Sequence, residues 1–136
     1  PEIERVAMQQ HETEIRVRYS ETDAMGFLHH SNYLSYYEVG RTELFRSRGG
    51  DYRAMEEGGL FFVVVSFDCR FHRPARYDDL LRLQTELVKV GAVKLEHEYS
   101  VYRGDKLLAT ARSVLACVNR EGQVQRIPED VLEATR

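Results

Sequence analysis

The chain has 136 residues, 43% of them hydrophobic and 30% charged, which suits one domain over residues 1–136 with a core and a polar surface. Its formal net charge of -3 gives no electrostatic reason to expect a nucleic-acid partner. No apolar run approaches the roughly 18 residues that a membrane span needs, so we expect no span.

The first predicted elements are a strand, a loop and a long helix. Ile15, Val17 and Tyr19 alternate with charged residues, which is the period of a half-buried strand. A loop follows over residues 20–30. Over residues 33–45 apolar side chains recur at spacings of three and four, which predicts an amphipathic helix.

The predicted helix has residues at both ends that favour helix termini. Ser31 and Asn32 are suitable N-terminal caps, and Gly49 with Gly50 favours a stop. Gly40 lies inside the helix, where glycine lowers stability by about 1 kcal/mol relative to alanine. We therefore expect the helix to approach a sheet closely at Gly40.

The second half of the sequence predicts strands joined by short turns. A short helix over residues 51–57 precedes a strand over residues 60–71. Two further segments alternate apolar with polar side chains, and a hairpin signal then leads into a last long strand, which a helical turn follows. These elements cover residues 81–87, 93–101, 107–118 and 128–130. One long helix and about five strands predict an α+β domain with an antiparallel sheet wrapped around the helix, in a strand order that periodicity leaves open.

Two features bear on the cellular compartment. Cys69 and Cys117 lie far apart and lack the spacing of metal ligands, which predicts two reduced, buried thiols. Residues 1–14 are polar and charged and contain no apolar segment typical of a secretory signal. We expect a cytoplasmic protein.

The stretch over residues 22–33 carries the side chains best suited to chemistry. Asp23 lies in the predicted loop, Gly26 follows three positions later, and the helix begins just beyond. The unpaired N–H groups of a helix N-terminus polarise a carbonyl and stabilise an oxyanion. Gly26 lets the chain bend so that Asp23 faces these donors, and such a carboxylate suits acyl transfer as nucleophile or as general base. An aspartate in a loop is also a common turn former, so the residues alone leave both roles open.

Residues 21–41, ETDAMGFLHHSNYLSYYEVGR, resemble the motif of the 4-hydroxybenzoyl-CoA thioesterase family, which includes acyl-CoA thioesterases associated with the Tol-Pal system. The likeness continues over residues 73–80 and, in the order of elements, from residue 14 to residue 118. The resemblance implies a hotdog fold and hydrolysis of an acyl- or aroyl-coenzyme A. It also implies a homodimer or homotetramer with active sites at the dimer interface.

The resemblance places the family's catalytic aspartate on Asp23 and its carbonyl-polarising backbone N–H on His30. The His30 side chain then either orients water or the thioester, or lines the pocket while the backbone N–H acts alone. His29 is adjacent, so we expect the two imidazole rings to diverge. No cysteine or further histidine lies at ligand spacing, so we expect no metal and no cofactor.

Four residues are expected to bind the substrate: Gly26, Tyr33, Ser66 and Arg73. Tyr33 matches an aromatic motif position but also fits the helix core. Ser66 is placed on a strand, either to hydrogen-bond the acyl group or water, or merely as a small polar residue. Glu38 is either a second acid or an ion-pair partner of Arg41.

The phosphates of coenzyme A require basic residues at the pocket. Arg70, Arg73 and Arg76 are the candidates near one turn. Some relatives carry a basic cluster between the two following strands, where this chain has residues 91–93, GAV, flanked by Lys89 and Lys94. This departure leaves the phosphate contacts less defined than the catalytic motif.

Two other functions compete with hydrolysis. The chain could bind acyl-CoA or an acyl carrier without turning it over, but Asp23 and Gly26 favour an enzyme. Hotdog dehydratases and hydratases use a differently placed histidine with an acid, and this sequence has no such motif. The identity of the acyl group does not follow from the sequence.

Overall fold

Five antiparallel strands and three helices form the part of the chain, residues 4–135, that the computed structural model describes. Residues 1–3 and Arg136, which the expected domain includes, lie outside the described residues. The strands are β1 (Glu4–Arg16), β2 (Phe61–Phe71), β3 (Leu80–Val90), β4 (Lys94–Arg103) and β5 (Lys106–Val118). The helices are α1 (His30–Ser47), α2 (Tyr52–Glu57) and α3 (Glu129–Ala134).

The strands form one sheet in the order β1-β3-β4-β5-β2, so β1 and β2 are its two edges. Every pairing is antiparallel, including the long-range pairs of β1 with β3 and β2 with β5. The β4–β5 hairpin turns at the predicted position, where Gly104 has a positive φ. The expected α+β architecture, an antiparallel sheet with one long helix, is confirmed.

Helix α1 packs one face against the sheet. Tyr33, Tyr37 and Leu44 are buried on this face, as the predicted spacing requires. At Gly40 the approach is so close that an added Cβ would collide with Thr85 Oγ1 and a Leu83 methyl group. The expected compensation for a glycine inside the helix is therefore present.

The first strand differs from the prediction at both ends. Strand β1 begins ten residues earlier than the pattern indicated and ends at Arg16, so Tyr19 lies outside it and is 77% exposed. A single 3-10 turn, Tyr19–Glu21, follows, in which the Arg18 N–H donates to Glu21 Oε1 at 2.8 Å. Alternation therefore predicted the strand but not the turn that removes Tyr19 from it.

The N-terminal cap of α1 lies before the predicted positions. His29 is the N-terminal cap of α1, because its Nδ1 accepts the Ser31 N–H at 3.1 Å, and so Ser31 and Asn32 lie inside the helix. The helical turn predicted at residues 128–130 is the start of α3, which begins at Glu129, directly after Pro128. Histidine is not among the usual capping residues, which is why the sequence pattern missed it.

Strand β2 leaves an apolar edge uncovered. Val63, Val64 and Val65 are all exposed, although they lie in the middle of the chain's most apolar segment. A bulge in the β2–β5 pairing between Val64 and Ser66 interrupts the alternation there.

Both cysteines are free thiols, and Cys117 is buried as predicted, whereas Cys69 is only half-buried, so the prediction of a buried thiol is wrong there. Burial raises the pKa of both thiols. Within residues 4–135, no helix combines the length and apolar character that crossing a membrane requires.

Candidate active site

Backbone N–H groups of the loop that carries Asp23 bind the carboxylate of this residue. Asp23 Oδ1 accepts the N–H groups of Met25 at 2.8 Å and Phe27 at 3.1 Å. The Gly26 N–H donates to the Asp23 carbonyl at 3.0 Å, and Gly26 has a φ of +81°, a conformation that favours glycine. Asp23 is exposed, and Oδ2 accepts no hydrogen bond from the described residues. This second oxygen is therefore available to a substrate or to water.

The N-terminus of α1 presents a free donor beside this loop. His29 caps the helix through its ring, and its own N–H donates to the Glu21 carbonyl at 2.9 Å. The next backbone N–H, that of His30, has no acceptor among the residues that the structure describes. It carries the partial positive charge of the helix end, so it suits a carbonyl oxygen that gains negative charge.

The expected divergence of the two histidine rings is wrong. The rings of His29 and His30 stack with centroids 4.2 Å apart and planes 28° apart. The change of backbone direction between the extended cap residue and the first helical residue brings the rings together. The His30 ring thereby lies against the ring that caps the helix.

An open cleft of about 350 Å³ joins the predicted residues at this end of the helix. Four of the predicted site residues line it: Asp23, His30, Tyr33 and Arg73. Its other lining residues are Phe27, an aromatic residue of the predicted motif, and Leu28, Phe71, His72 and Pro74, which the sequence prediction missed. Gly26 shapes the Asp23 turn rather than lining the cleft.

Tyr33 serves both of the roles that the sequence left open. It is buried and packs edge-on against the Phe71 ring, with centroids 4.9 Å apart, yet it also lines the cleft. Burial raises the pKa of Tyr33 to about 12, so its hydroxyl stays neutral at physiological pH.

Ser66 and Arg70 are not brought to this cleft. Phe67 and Cys69 pack against the core under α1. Because alternate residues of a strand face opposite sides, Ser66 and Arg70 project from the other face of the sheet, where both are exposed.

Of the remaining charged candidates, the two arginines lie at or near the cleft, whereas Glu38 is close to another charged side chain of α1. Arg73 lies at the cleft, and the Arg76 guanidinium stacks over the ring of Phe27, 4.8 Å from its centroid. Glu38 lies 4.0 Å from the Arg41 guanidinium, which favours the ion-pair role over that of a second acid.

Lys89 is 3.8 Å from Glu96, so it already has a carboxylate partner. Within residues 4–135, no group of three or more His, Cys, Asp and Glu side chains is placed to hold a metal ion.

Glu21 holds the Asp23 loop to helix α1, a role that the sequence interpretation missed. Its buried carboxylate accepts the Arg18 N–H at 2.8 Å and the Tyr36 hydroxyl at 2.7 Å. Its backbone carbonyl accepts the His29 N–H and the Asn32 side-chain amide, both at 2.9 Å. Burial acts to raise the pKa of Glu21, but these hydrogen bonds to its carboxylate outweigh burial and lower it. The sequence did contain a signal for this role, an acidic residue two positions before Asp23, but Glu21 was interpreted only as the first residue of the motif.

Comparison with known families matches residues 17–135, most of the chain, to the thioesterase-like superfamily. The chain belongs to the thioesterase-like superfamily. The match includes the Asp23 loop, helix α1 and all strands after β1. The family resemblance drawn from residues 21–41 is thereby confirmed.

Relatives of this thioesterase-family chain support the same assignment. It is 32% identical over 106 residues to the acyl-CoA thioester hydrolase YbgC of Escherichia coli O157:H7, covering 77% of this chain and 79% of that protein. Its fold matches a probable thioesterase from Bartonella henselae with a TM-score of 0.83 and 33% identity, over 88% of this chain and 99% of that one.

A mutant 4-hydroxybenzoyl-CoA thioesterase in complex with 4-hydroxybenzoyl-CoA has the same fold, with a TM-score of 0.86 over 94% of this chain and 99% of that one, at 21% identity. The expected hotdog fold and the expected enzyme class, a thioesterase, are confirmed.

Proposed function

We propose that this thioesterase-family chain hydrolyses an acyl- or aroyl-coenzyme A to the free acid and CoA, with Asp23 and the His30 N–H as its catalytic groups. One observation carries the proposal: an exposed carboxylate oxygen and an unpaired helix N–H border the same cleft. The Escherichia coli relative, named an acyl-CoA thioester hydrolase, supports the choice of substrate class.

The two groups suit the two halves of the reaction. The His30 N–H donates to the thioester carbonyl oxygen and stabilises the negative charge that develops there. Asp23 Oδ2 then attacks the carbonyl carbon, the C–S bond breaks, and water hydrolyses the resulting anhydride. Alternatively, Asp23 takes a proton from a water molecule that attacks the carbon directly. Both routes release the CoA thiolate, which solvent protonates.

Other residues of the cleft bind rather than react. The rings of Phe27 and Phe71 and the neutral Tyr33 hydroxyl offer the acyl group an apolar wall with one polar contact. The exposed His30 ring orients water or the thioester, and Arg73 binds a CoA phosphate. Ser66 does not line this cleft, so its predicted contact with the substrate stays a prediction.

The proposal includes a homodimer or a homotetramer in the cytoplasm. Strand β2 is a sheet edge with unpaired backbone groups and the exposed apolar side chains Val63, Val64 and Val65. Such an edge favours pairing with another chain. Light scattering at micromolar concentration should give at least twice the chain mass, and an active monomer would contradict the oligomer.

A panel of acyl-CoAs of different chain length, with one aroyl-CoA, tests the function by release of free thiol. We expect steady turnover of at least one member and no change after dialysis against a strong chelator. Tight binding of an acyl-CoA without turnover would instead identify a non-catalytic acyl-CoA binding protein.

A further inference from the structure

Two tyrosine rings stand together on the surface near the cleft. Tyr19 and Tyr77 meet edge to face with centroids 5.5 Å apart, and they are 77% and 54% exposed. Neither lies on a free loop tip: the Thr22 N–H donates to the Tyr19 carbonyl, and the Asp78 N–H donates to the Val17 carbonyl. A fixed and exposed aromatic pair has the properties of a stacking platform.

Short backbone bridges connect this aromatic pair to the catalytic loop. The Asp23 N–H donates to the Phe27 carbonyl, and Phe27 is bridged in turn to Arg76. Neighbouring extended segments lie about 4.8 Å apart, so Arg76 is roughly 10 Å from Asp23 across the chain. Tyr77 is the next residue. Tyr19 lies one turn before Thr22, so the aromatic pair adjoins both Arg76 and the Asp23 loop.

Two arginines without ion pairs lie near Asp23 and the rings, Arg73 at the cleft and Arg76 directly before Tyr77. Within residues 4–135, neither Arg73 nor Arg76 has a carboxylate partner, and Arg76 is held in place by stacking on Phe27. The nearby Asp79 Oδ2 accepts the Arg76 backbone N–H at 2.9 Å and Arg103 Nη1 at 2.8 Å, but it forms no ion pair with either of these two guanidinium groups. These two guanidinium groups are therefore free to bind an anion.

The other arginines beside the rings are already paired. Arg16 contacts Asp78 at 4.0 Å, and Arg18 contacts Glu21 at 3.3 Å. They neutralise the acidic groups near the rings without adding free positive charge. The unpaired charge is thus concentrated at Arg73 and Arg76.

We propose that Tyr19 and Tyr77 form the subsite for the adenine ring of coenzyme A, with Arg76 and Arg73 binding the phosphates between adenine and thioester. This inference rests on the proposed function. Along coenzyme A, the thioester is followed by the pantetheine arm, the phosphates and adenine. On the protein surface, the two free arginines and the two rings all lie next to the Asp23 cleft. Aromatic rings stack on nucleobases, and guanidinium groups bind phosphate oxygens in pairs.

The test compares two substrates that carry the same acyl group. Acyl-CoA contains the nucleotide, whereas the acyl-pantetheine thioester ends before it. We expect Tyr77→Ala and Tyr19→Ala each to raise KM for acyl-CoA about tenfold. The KM for acyl-pantetheine should change less than about twofold, and Tyr77→Phe should resemble the wild type because it keeps the ring.

Tyr102→Ala is the matched control, since Tyr102 is also a tyrosine under an arginine, Arg82, at 4.4 Å, but lies on strand β4. It should leave both KM values unchanged. Equal effects of Tyr77→Ala on both substrates, or no effect on either, would overturn the subsite. Dissociation of the oligomer in Tyr77→Ala would instead assign the rings to a contact between copies.

Calorimetry with adenosine 3′,5′-bisphosphate separates this inference from the proposed function. We expect the wild-type protein to bind the bisphosphate and Tyr77→Ala to bind it at least about tenfold more weakly. If the wild type hydrolyses no thioester, the proposed function fails, and this titration still decides the subsite. Equal affinity of both proteins, or binding by neither, would contradict it.

Discussion

The cleft and the space under the middle of α1 both contain unpaired polar groups, but with different consequences for the protein. At the cleft, Asp23 Oδ2 and the His30 N–H are exposed. Under the middle of α1, Arg41 Nη1, Thr85 Oγ1 and His97 Nδ1 are buried without a hydrogen-bond partner among the described residues. Water or a substrate satisfies the first set, whereas the second set lowers the free energy of unfolding. Changes at the cleft should therefore alter activity, and changes under the helix should alter stability.

The largest expected effect lies at the cleft. Asp23→Asn keeps the shape of the side chain and both loop hydrogen bonds to Oδ1, but removes the charge and basicity. We expect kcat to fall by at least about 100-fold, or roughly 2.7 kcal/mol of barrier, with little change in the thermal midpoint. Asp68→Asn, on the exposed outer face of β2, is the control and should retain wild-type kcat. An Asp23→Asn protein with more than about a tenth of wild-type kcat would mean that Asp23 has a structural role.

The next effect lies under the helix. Gly40→Ala should lower the free energy of unfolding by about 2 kcal/mol, because its Cβ has no room beside Thr85 and Leu83. Thr85→Ala removes one of the two obstacles, so the double variant should recover part of the loss. Denaturant unfolding of the two single variants and the double variant measures this coupling. Strictly additive losses would contradict the close approach.

A smaller effect concerns the positioning residue Glu21. Glu21→Gln weakens the hydrogen bonds from Arg18 and Tyr36, so the Asp23 loop should lose its fixed distance from the His30 N–H. We expect kcat to fall about tenfold, with KM little changed. Tyr36→Phe, which removes one of these bonds, should have an intermediate effect. Losses confined to the thermal midpoint would make Glu21 a purely structural residue.

The smallest expected effect is a change of stability with pH. Burial, and then the charge of Arg41, lowers the pKa of His97 from 6.5 to about 3. The unfolded chain therefore binds a proton below pH 6.5 that the folded chain does not bind until about pH 3. Stability due to His97 is full above pH 6.5 and declines as the pH falls, by about 1 kcal/mol between pH 6 and pH 5.

Denaturant unfolding at both pH values checks this slope. His97→Gln should reduce it, while the same change at the exposed His72 should not. Equal slopes in both variants would show that His97 does not cause the dependence.

The sequence predicted those features of the fold that depend on the periodicity of apolar residues and on the residues at turns. The face of α1 with Tyr33 and Leu44, the β4–β5 hairpin and the close approach at Gly40 all follow from local pattern. The loop with Asp23 and Gly26 followed from the motif.

Features that depend on contacts distant in the chain did not follow from local pattern. The Glu21 carboxylate is fixed by Tyr36, fifteen residues away, and its role appears only when the loop meets the helix. The bulge between Val64 and Ser66 disrupts the alternation on β2, because one extra residue changes which face the side chains occupy. The stacking of His29 on His30 depends on an unusual cap.

A crystal structure of the Asp23→Asn protein with a bound acyl-CoA tests the central claim most directly. We predict that the thioester carbonyl oxygen lies about 3 Å from the His30 backbone nitrogen, and the residue 23 side chain within about 3.5 Å of the carbonyl carbon or of a water beside it. A thioester bound elsewhere, for example in the cavity of about 370 Å³ beside α2 at the opposite end of α1, would contradict it.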